Sequence, residues 1–196
     1  AAVVFIGITD AMESEGFDRA DMKIPACQEK LLREVVKAQP NTVVVVECGS
    51  AIEMPWIDEV RGVLYAYLGG ESVGPAVVEL LYVRAKPCGN LAETFPLRLE
   101  DNPSYVYYLG EGDRTEYREG IFVGYRYYDK KDMPVLFPFG HGLSYTQYEY
   151  SDLTLDKTSM KDTDTLTVTV KVKNVGDRAG KEIVQLYVSD DQSTAI

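Results

Sequence analysis

Val3-Val4-Phe5-Ile6-Gly7-Ile8, followed directly by the polar, acidic stretch from Thr9 to Lys23, decides how the rest of the chain reads. A continuous apolar run rich in β-branched residues is the pattern of a strand covered on both faces, as in a parallel sheet. The stretch that leaves it carries four acids, Asp10, Glu13, Glu15 and Asp18, and one arginine, Arg19, within ten residues. A second run of the same kind, Thr42-Val43-Val44-Val45-Val46, ends at Gly49-Ser50, and a third spans Gly62 to Tyr67. Between the first two, Leu31, Leu32, Val35 and Val36 recur at helical spacing. Pro25 suits the start of that helix, since proline lacks only an N–H that the first turn leaves unpaired, and Pro40 suits its end. A short helical stretch from Trp56 to Val60 precedes the third strand, and a longer one from Ser72 to Val83 follows it.

Strand, loop and helix thus repeat three times. Apolar strands alternating with helices predict an α/β fold with a partial, mostly parallel sheet flanked by helices, and right-handed crossovers bring every strand-to-helix loop to one edge. Ligands of open α/β sheets bind at that edge, which places the Glu13–Arg19 loop where chemistry is expected. A carboxyl there, partly desolvated and near other acids, can be tuned to give up a proton near neutral pH. The same acids also fit a solvated surface loop, and Asp18-Arg19 also fits a local ion pair or a helix-start feature. Three strands make a narrow sheet, so further strands before Ala1 or pairing with another polypeptide are expected.

From Lys86 to Gln147 the sequence is rich in Pro, Gly and Tyr and has little period, as expected of a connecting region that wraps the domain. Beyond Tyr150 the pattern changes again. Leu153 to Leu155, the alternation Leu166-Thr167-Val168-Thr169-Val170-Lys171-Val172, and Ile183 to Val188 read as half-buried antiparallel strands, with a turn at Asn174-Val175-Gly176-Asp177. Three strands are fewer than the roughly seven of a complete sandwich, so both ends of the chain read as truncated. The expected organisation is residues 1–95 as the α/β domain, 96–150 as the connecting region, and 151–196 as the first strands of an antiparallel β-sandwich.

Composition bounds the function. With 196 residues, of which 45% are apolar, the chain can bury a real core. Its 31 acidic and 20 basic residues, a net charge of −11, disfavour nucleic acid and anionic membranes as partners. No apolar stretch approaches the ~20 residues that span a bilayer. Cys27, Cys48 and Cys88 are odd in number and widely spaced, which reads as small buried hydrophobes and favours a reducing, cytoplasmic compartment over a secreted one. With His141 the single histidine, a zinc site has almost no ligands to draw on, and no cofactor is called for.

Several separated segments are together more specific than composition. Glu13-Ser14-Glu15-Gly16-Phe17-Asp18-Arg19 resembles the Glu-x-Glu-Gly-x-Asp-Arg loop of family 3 glycoside hydrolases, and Pro25-Ala26-Cys27-Gln28-Glu29-Lys30-Leu31 the Pro-x-x-Gln-x-x-Leu helix after it. Pro40 to Val46 and Met54-Pro55-Trp56 are similar to the next strand and loop. Glu119-Gly120-Ile121-Phe122-Val123-Gly124-Tyr125-Arg126-Tyr127-Tyr128 and Phe137-Pro138-Phe139-Gly140-His141-Gly142-Leu143-Ser144-Tyr145-Thr146 resemble the family's two most recognisable runs, and Asn174 to Glu182 its fibronectin type III-like module. Two positions depart from the family pattern: Asn90 stands where a lysine is usual, and Glu71 where Gln is common.

The resemblance implies a retaining β-glucosidase, in which an aspartate on a separate (β/α)8 barrel of the same protein is the nucleophile and a glutamate on the α/β-sandwich domain is acid, then base. The matching glutamate is Glu15, with Glu13, Asp18 and Arg19 shaping its loop. Terminal non-reducing β-D-glucosyl residues of β-glucosides or cello-oligosaccharides are the implied substrate, and β-xylosides of the same family's relatives the alternative. A non-catalytic structural or homodimerising module is a competing reading. A serine hydrolase is disfavoured, because no Gly-x-Ser-x-Gly elbow occurs.

Overall fold

The computed structural model describes residues 1–190, 192 and 193. Strands β1 (Ala2–Gly7), β2 (Thr42–Glu47) and β3 (Gly62–Tyr65) form a parallel sheet in the order β1-β2-β3, so β2 lies in the middle. Helix α1 (Ala26–Ala38) connects the first pair, and helix α2 (Val73–Leu81) follows β3 after a 3-10 turn. Register runs from Ala2 opposite Thr42 to Gly7 opposite Glu47. Parallel pairing sets these residues side by side on one face, and Val4, Ile6, Val44 and Val46 all enter the main core with Leu32 of α1. At Gly7 a Cβ would lie 2.2 Å from the Glu47 carbonyl oxygen, so only glycine allows the strands to stay this close at their exits.

Helix α1 begins as its sequence predicts. The Pro25 carbonyl accepts from the amides of Gln28 and Glu29, and Gln39, in extended conformation, ends the helix by donating to the Val35 carbonyl. The Gln28 side chain has a second task, accepting the Gly7 amide at 2.9 Å where β1 enters its loop. Leu32 is fully buried, whereas Leu31 and Cys27, four residues apart on one helical face, are exposed. Cys27 is therefore not the buried hydrophobe that its sequence context suggested, and Cys48 is.

Two expectations are revised by burial. β1 is covered on one face only: Val4 and Ile6 point into the core, but Val3 and Phe5 are 47% and 56% exposed. β1 is an edge strand here, and α1 shields its inner face alone. The second revision concerns the end of the chain. Strands β4 (Tyr148–Leu155) and β5 (Val168–Asn174) pair antiparallel, but residues 183–188 form no strand with them. That segment crosses the connecting region instead, where the Tyr187 ring meets Tyr125 edge-on at 5.6 Å and Gln185 lies over Gly140. The alternation in β5 is realised, with Val168, Val170 and Val172 half-buried and Thr169, Lys171 and Lys173 exposed.

The connecting region is anchored through Phe95. Its ring is fully buried against Tyr65 at 5.0 Å, and its backbone bridges Phe137 through a 2.9 Å hydrogen bond. Asn90, the residue in place of the usual lysine, donates to the Gly140 carbonyl at 2.8 Å, so it helps close the same loop. Helix α3 (Tyr125–Lys131) lies within this region and buries Tyr128. Truncating a fully buried aromatic costs about 3–5 kcal/mol. Phe95→Ala is thus expected to lower the unfolding free energy by that amount, seen as a urea midpoint moved to lower concentration with little change in slope, and an unshifted midpoint would show that the connecting region does not unfold with the sheet.

Candidate active site

Because β1, β2 and β3 are parallel, their exit loops meet at one edge of the sheet. The loop after β1 opens with a tight turn in which the amides of Met12 and Glu13 both donate to the Thr9 carbonyl. Glu13 then turns toward the β2 exit. Its carboxylate accepts the Gly49 amide at 2.7 Å and the Ser50 hydroxyl. From the far side of the loop, Arg19 donates to the same Ser50 hydroxyl at 2.8 Å and to the Ala51 carbonyl at 3.2 Å. Arg19 also lies 3.8 Å from the Glu13 carboxylate, a separation at which the ion pair is loose and the shared serine does most of the joining.

Glu13 and Arg19 therefore fasten both feet of the loop to one segment, 49–51. Residues 14–18 are left to project. An isolated bridge between Ser14 and Phe17 narrows this tip, and Glu15 and Phe17 are exposed on it. Among the described residues, the Glu15 carboxylate makes no hydrogen bond or ion pair. Asp18 does not pair with its neighbour Arg19; its carboxylate accepts the Tyr108 hydroxyl at 2.5 Å. The four residues that the sequence singled out thus share one loop but split in role: Glu13 and Arg19 point inward, Asp18 sideways, and Glu15 outward.

Three further residues at this edge escaped the sequence reading. Tyr65, at the end of β3, donates its hydroxyl to the Ser50 carbonyl at 2.5 Å, and burial chiefly raises its pKa. Tyr67 adopts a left-handed conformation, φ 51°, which is strained for a bulky side chain. That conformation ends β3 and sets the Tyr67 hydroxyl 3.3 Å from Glu93. Burial, with Glu93 close by, pushes the Tyr67 hydroxyl up to about 12. Glu93 comes from the segment that precedes Phe95, and its carboxyl is raised above the ordinary value, first by burial and then by the nearby charge of Glu13, against the lowering effect of the Tyr67 hydrogen bond. Tyr65 and Tyr67 could have been found by asking which side chains end the third strand. Glu93 carries no local signal, since it reaches the edge only because Phe95 is buried.

The chemical capacity of this edge is narrow. Among the described residues it offers carboxylates, tyrosine hydroxyls and one guanidinium, and no nucleophilic serine or cysteine in contact with a histidine, because the His141 ring is stacked on Phe137 at 4.7 Å. Among the acids of this edge, Glu15 is the one that projects outward, exposed at the tip of the loop.

Fold and edge together define an α/β-sandwich domain with an acid-bearing loop at the carboxyl ends of its strands. Residues 1–145 match the glycosyl hydrolase family 3 C-terminal domain, and the chain belongs to that family. It is 58% identical to thermostable beta-glucosidase B of Acetivibrio thermocellus over 98% of its length and 26% of the relative's. It is 44% identical to a probable beta-glucosidase I of Aspergillus fumigatus, covering 95% of this chain and 23% of that one. The chain thus spans about a quarter of the length of these relatives. Among solved structures, a family 3 beta-glucosidase of Bifidobacterium adolescentis superposes with a TM-score of 0.84 at 40% identity, over 89% of this chain and 26% of that one. A beta-glucosidase of Kluyveromyces marxianus in complex with glucose gives 0.82 at 40% identity, over 90% and 21%.

Two measurements test the geometry of the edge. A Cβ at Gly49 would sit 3.0 Å from the Glu13 carboxylate oxygen, so Gly49→Ala is expected to loosen the foot of the loop and raise proteolytic nicking between residues 9 and 23; a digestion rate equal to wild type would count against the fastening. The second follows from Glu93. A carboxyl whose folded pKa is raised binds its proton more tightly in the native state, so its contribution to stability is present at low pH and lost as pH rises past the ordinary carboxylate value of ~4.3. Glu93→Gln keeps an acceptor for Tyr67 and removes the charge. It is expected to raise the unfolding temperature at pH 7 relative to that at pH 4, and an unaltered pH dependence would sink the assignment.

Proposed function

We propose that this chain supplies the general acid/base carboxylate, Glu15, of a retaining β-glucosidase whose nucleophilic aspartate lies on a (β/α)8 barrel domain of the same protein. The observation that carries the reading is the loop itself, fastened at Glu13 and Arg19 to segment 49–51 and leaving Glu15 exposed at the tip, without a partner among the described residues. A proton donor that serves a second domain needs this arrangement, because it must be fixed at its base and free at its end. Family membership and relatives named as beta-glucosidases support the substrate class, and a solved relative holds glucose.

In such a reaction the barrel aspartate attacks the anomeric carbon while Glu15 donates its proton to the departing glycosidic oxygen, giving a glycosyl-enzyme and the free alcohol. Glu15, now a carboxylate, takes a proton from the water that attacks the same carbon, which releases glucose and restores the acid. The two carboxyl groups of a retaining site lie about 5–5.5 Å apart, so the tip of the loop must reach the mouth of the barrel. Glu13 and Arg19 hold the base of the loop, and Asp18 steadies its flank.

Two outcomes are expected. The chain of residues 1–196 alone does not turn over an aryl β-glucoside, since one carboxyl of the pair is missing; measurable hydrolysis by it would refute the division between domains. In the full-length protein, Glu15→Ala lowers kcat/KM for substrates with poor leaving groups by roughly 10²–10⁴-fold. A dinitrophenyl glucoside, which needs no proton, loses far less, and added azide restores turnover as the glucosyl azide. Equal loss on both substrates would argue against the acid role.

A further inference from the structure

Residues 14–18 lie between two fastened feet, but a loop fixed only at its feet can still swing. Among the described residues, one hydrogen bond links this tip to the chain outside the loop, from the Tyr108 hydroxyl to the Asp18 carboxylate at 2.5 Å. It closes a separation of 90 residues and joins the strand-exit edge to the connecting region. The contact is not a by-product of burial. Tyr108 is 52% exposed, and its neighbours Val106 and Leu109 are 79% and 83% exposed, so apolar packing does not hold this segment in place. Local turns shape it instead, through hydrogen bonds from Tyr105 to Asn102, Tyr107 to Ser104 and Gly110 to Tyr107. Bonding to Asp18 raises the pKa of the Tyr108 hydroxyl, which remains a donor throughout the neutral range.

Asp18 lies three residues beyond Glu15, across the narrow Ser14–Phe17 bridge, so tension on Asp18 is passed to the acid through a single tight turn. We propose that Tyr108 is a positioning residue for the acid/base step, a strut from the connecting region that sets the direction in which the Glu15 loop projects. The inference rests on the reading of Glu15 given above. Tyr108 acts through the placement of Glu15 and does not itself touch the sugar. Its loss therefore matters where proton transfer matters, and the cost of misplacing a reacting group by a fraction of an ångström to an ångström is about 10-fold to 10²-fold in rate.

The test is Tyr108→Phe in the full-length enzyme, which removes one hydroxyl from a half-exposed ring and leaves packing intact. Expected is a fall of about 10-fold in kcat/KM for cellobiose, with a dinitrophenyl glucoside changed by less than about 2-fold. Tyr117→Phe, at a tyrosine that is 85% exposed and whose hydroxyl makes no hydrogen bond among the described residues, serves as the control and should change neither. Asp18→Ala should reproduce the Tyr108→Phe loss, and the double substitution should cost no more than either alone. In a Glu15→Ala background, Tyr108→Phe should add nothing. A further loss in that background would mean that Tyr108 contacts substrate or supports the fold directly, and it would overturn the proposal, as would an unchanged cellobiose rate. If Glu15→Ala itself shows no dependence on leaving group, the reading of Glu15 falls and this proposal falls with it. If Glu15→Ala shows the dependence and Tyr108→Phe does not, only the strut is lost.

Discussion

Parallel pairing of β1 with β2 is the constraint from which the rest follows. With Gly7 opposite Glu47, both strands end at the same height, and the loops that leave them have to share the space beyond. Gly7 makes this possible by letting the backbones meet without a side chain between them. The shared space explains why Glu13, 36 residues before Gly49 in sequence, finds that amide as its partner. A carboxylate entering this region meets a free N–H, a hydroxyl and a guanidinium, and a charge-assisted hydrogen bond of this kind is shorter and stronger than a neutral one. The projecting part of the loop, residues 13–19, is therefore shaped by polar contacts at its feet, and the buried Met22 lies beyond them.

Much of this was legible beforehand, wherever the determining contacts are local. The apolar runs at β1 and β2, the proline at the start of α1 and the alternation in β5 each state their element within about ten residues. The Glu13–Arg19 loop was legible because a polar stretch after a buried strand must lie at the carboxyl edge. What was not legible depends on partners far along the chain. Nothing in Val3 and Phe5 says that one face of their strand goes uncovered. Residues 183–188 have the composition of a strand, but a strand needs a neighbour, and here Tyr187 and Gln185 settle against Tyr125 and Gly140. Asp18 looked like a partner for Arg19 because adjacency in sequence suggests contact, whereas the two side chains leave a turn in different directions.

The connecting region is the hardest part to read and contributes most to the edge. It has no period to betray it, yet it delivers Phe95 to the core, Glu93 to Tyr67 and Tyr108 to Asp18. These are linked placements. The buried Phe95 ring fixes the segment just before it, so Glu93 is carried to within reach of the tyrosines at the end of β3, and its half-buried carboxyl is brought near Glu13. Bringing a second acid toward Glu13 would be unfavourable if both were fully charged and unpaired. Glu13 has its amide, hydroxyl and guanidinium, Glu93 has the Tyr67 hydroxyl, and the raised pKa of Glu93 eases the remaining repulsion by favouring its neutral form.

A consistent division results among the acids at this edge. Glu13, Asp18 and Glu93 each spend their hydrogen-bonding capacity within the chain, on Gly49 and Ser50, on Tyr108 and on Tyr67. A carboxylate so engaged holds structure, and asking it to exchange protons in every catalytic cycle would break what it holds. Glu15 is under no such obligation. Because its carboxyl has no partner among the described residues, a surface brought up from another domain can set its surroundings without dismantling the loop. In the proposed reaction, an acid at the tip, with its neighbours committed to fixing the base and flank, separates the task of positioning from that of proton transfer. An active site shared between two domains, as proposed for this chain, requires that separation, since each half must hold its own shape before the halves meet.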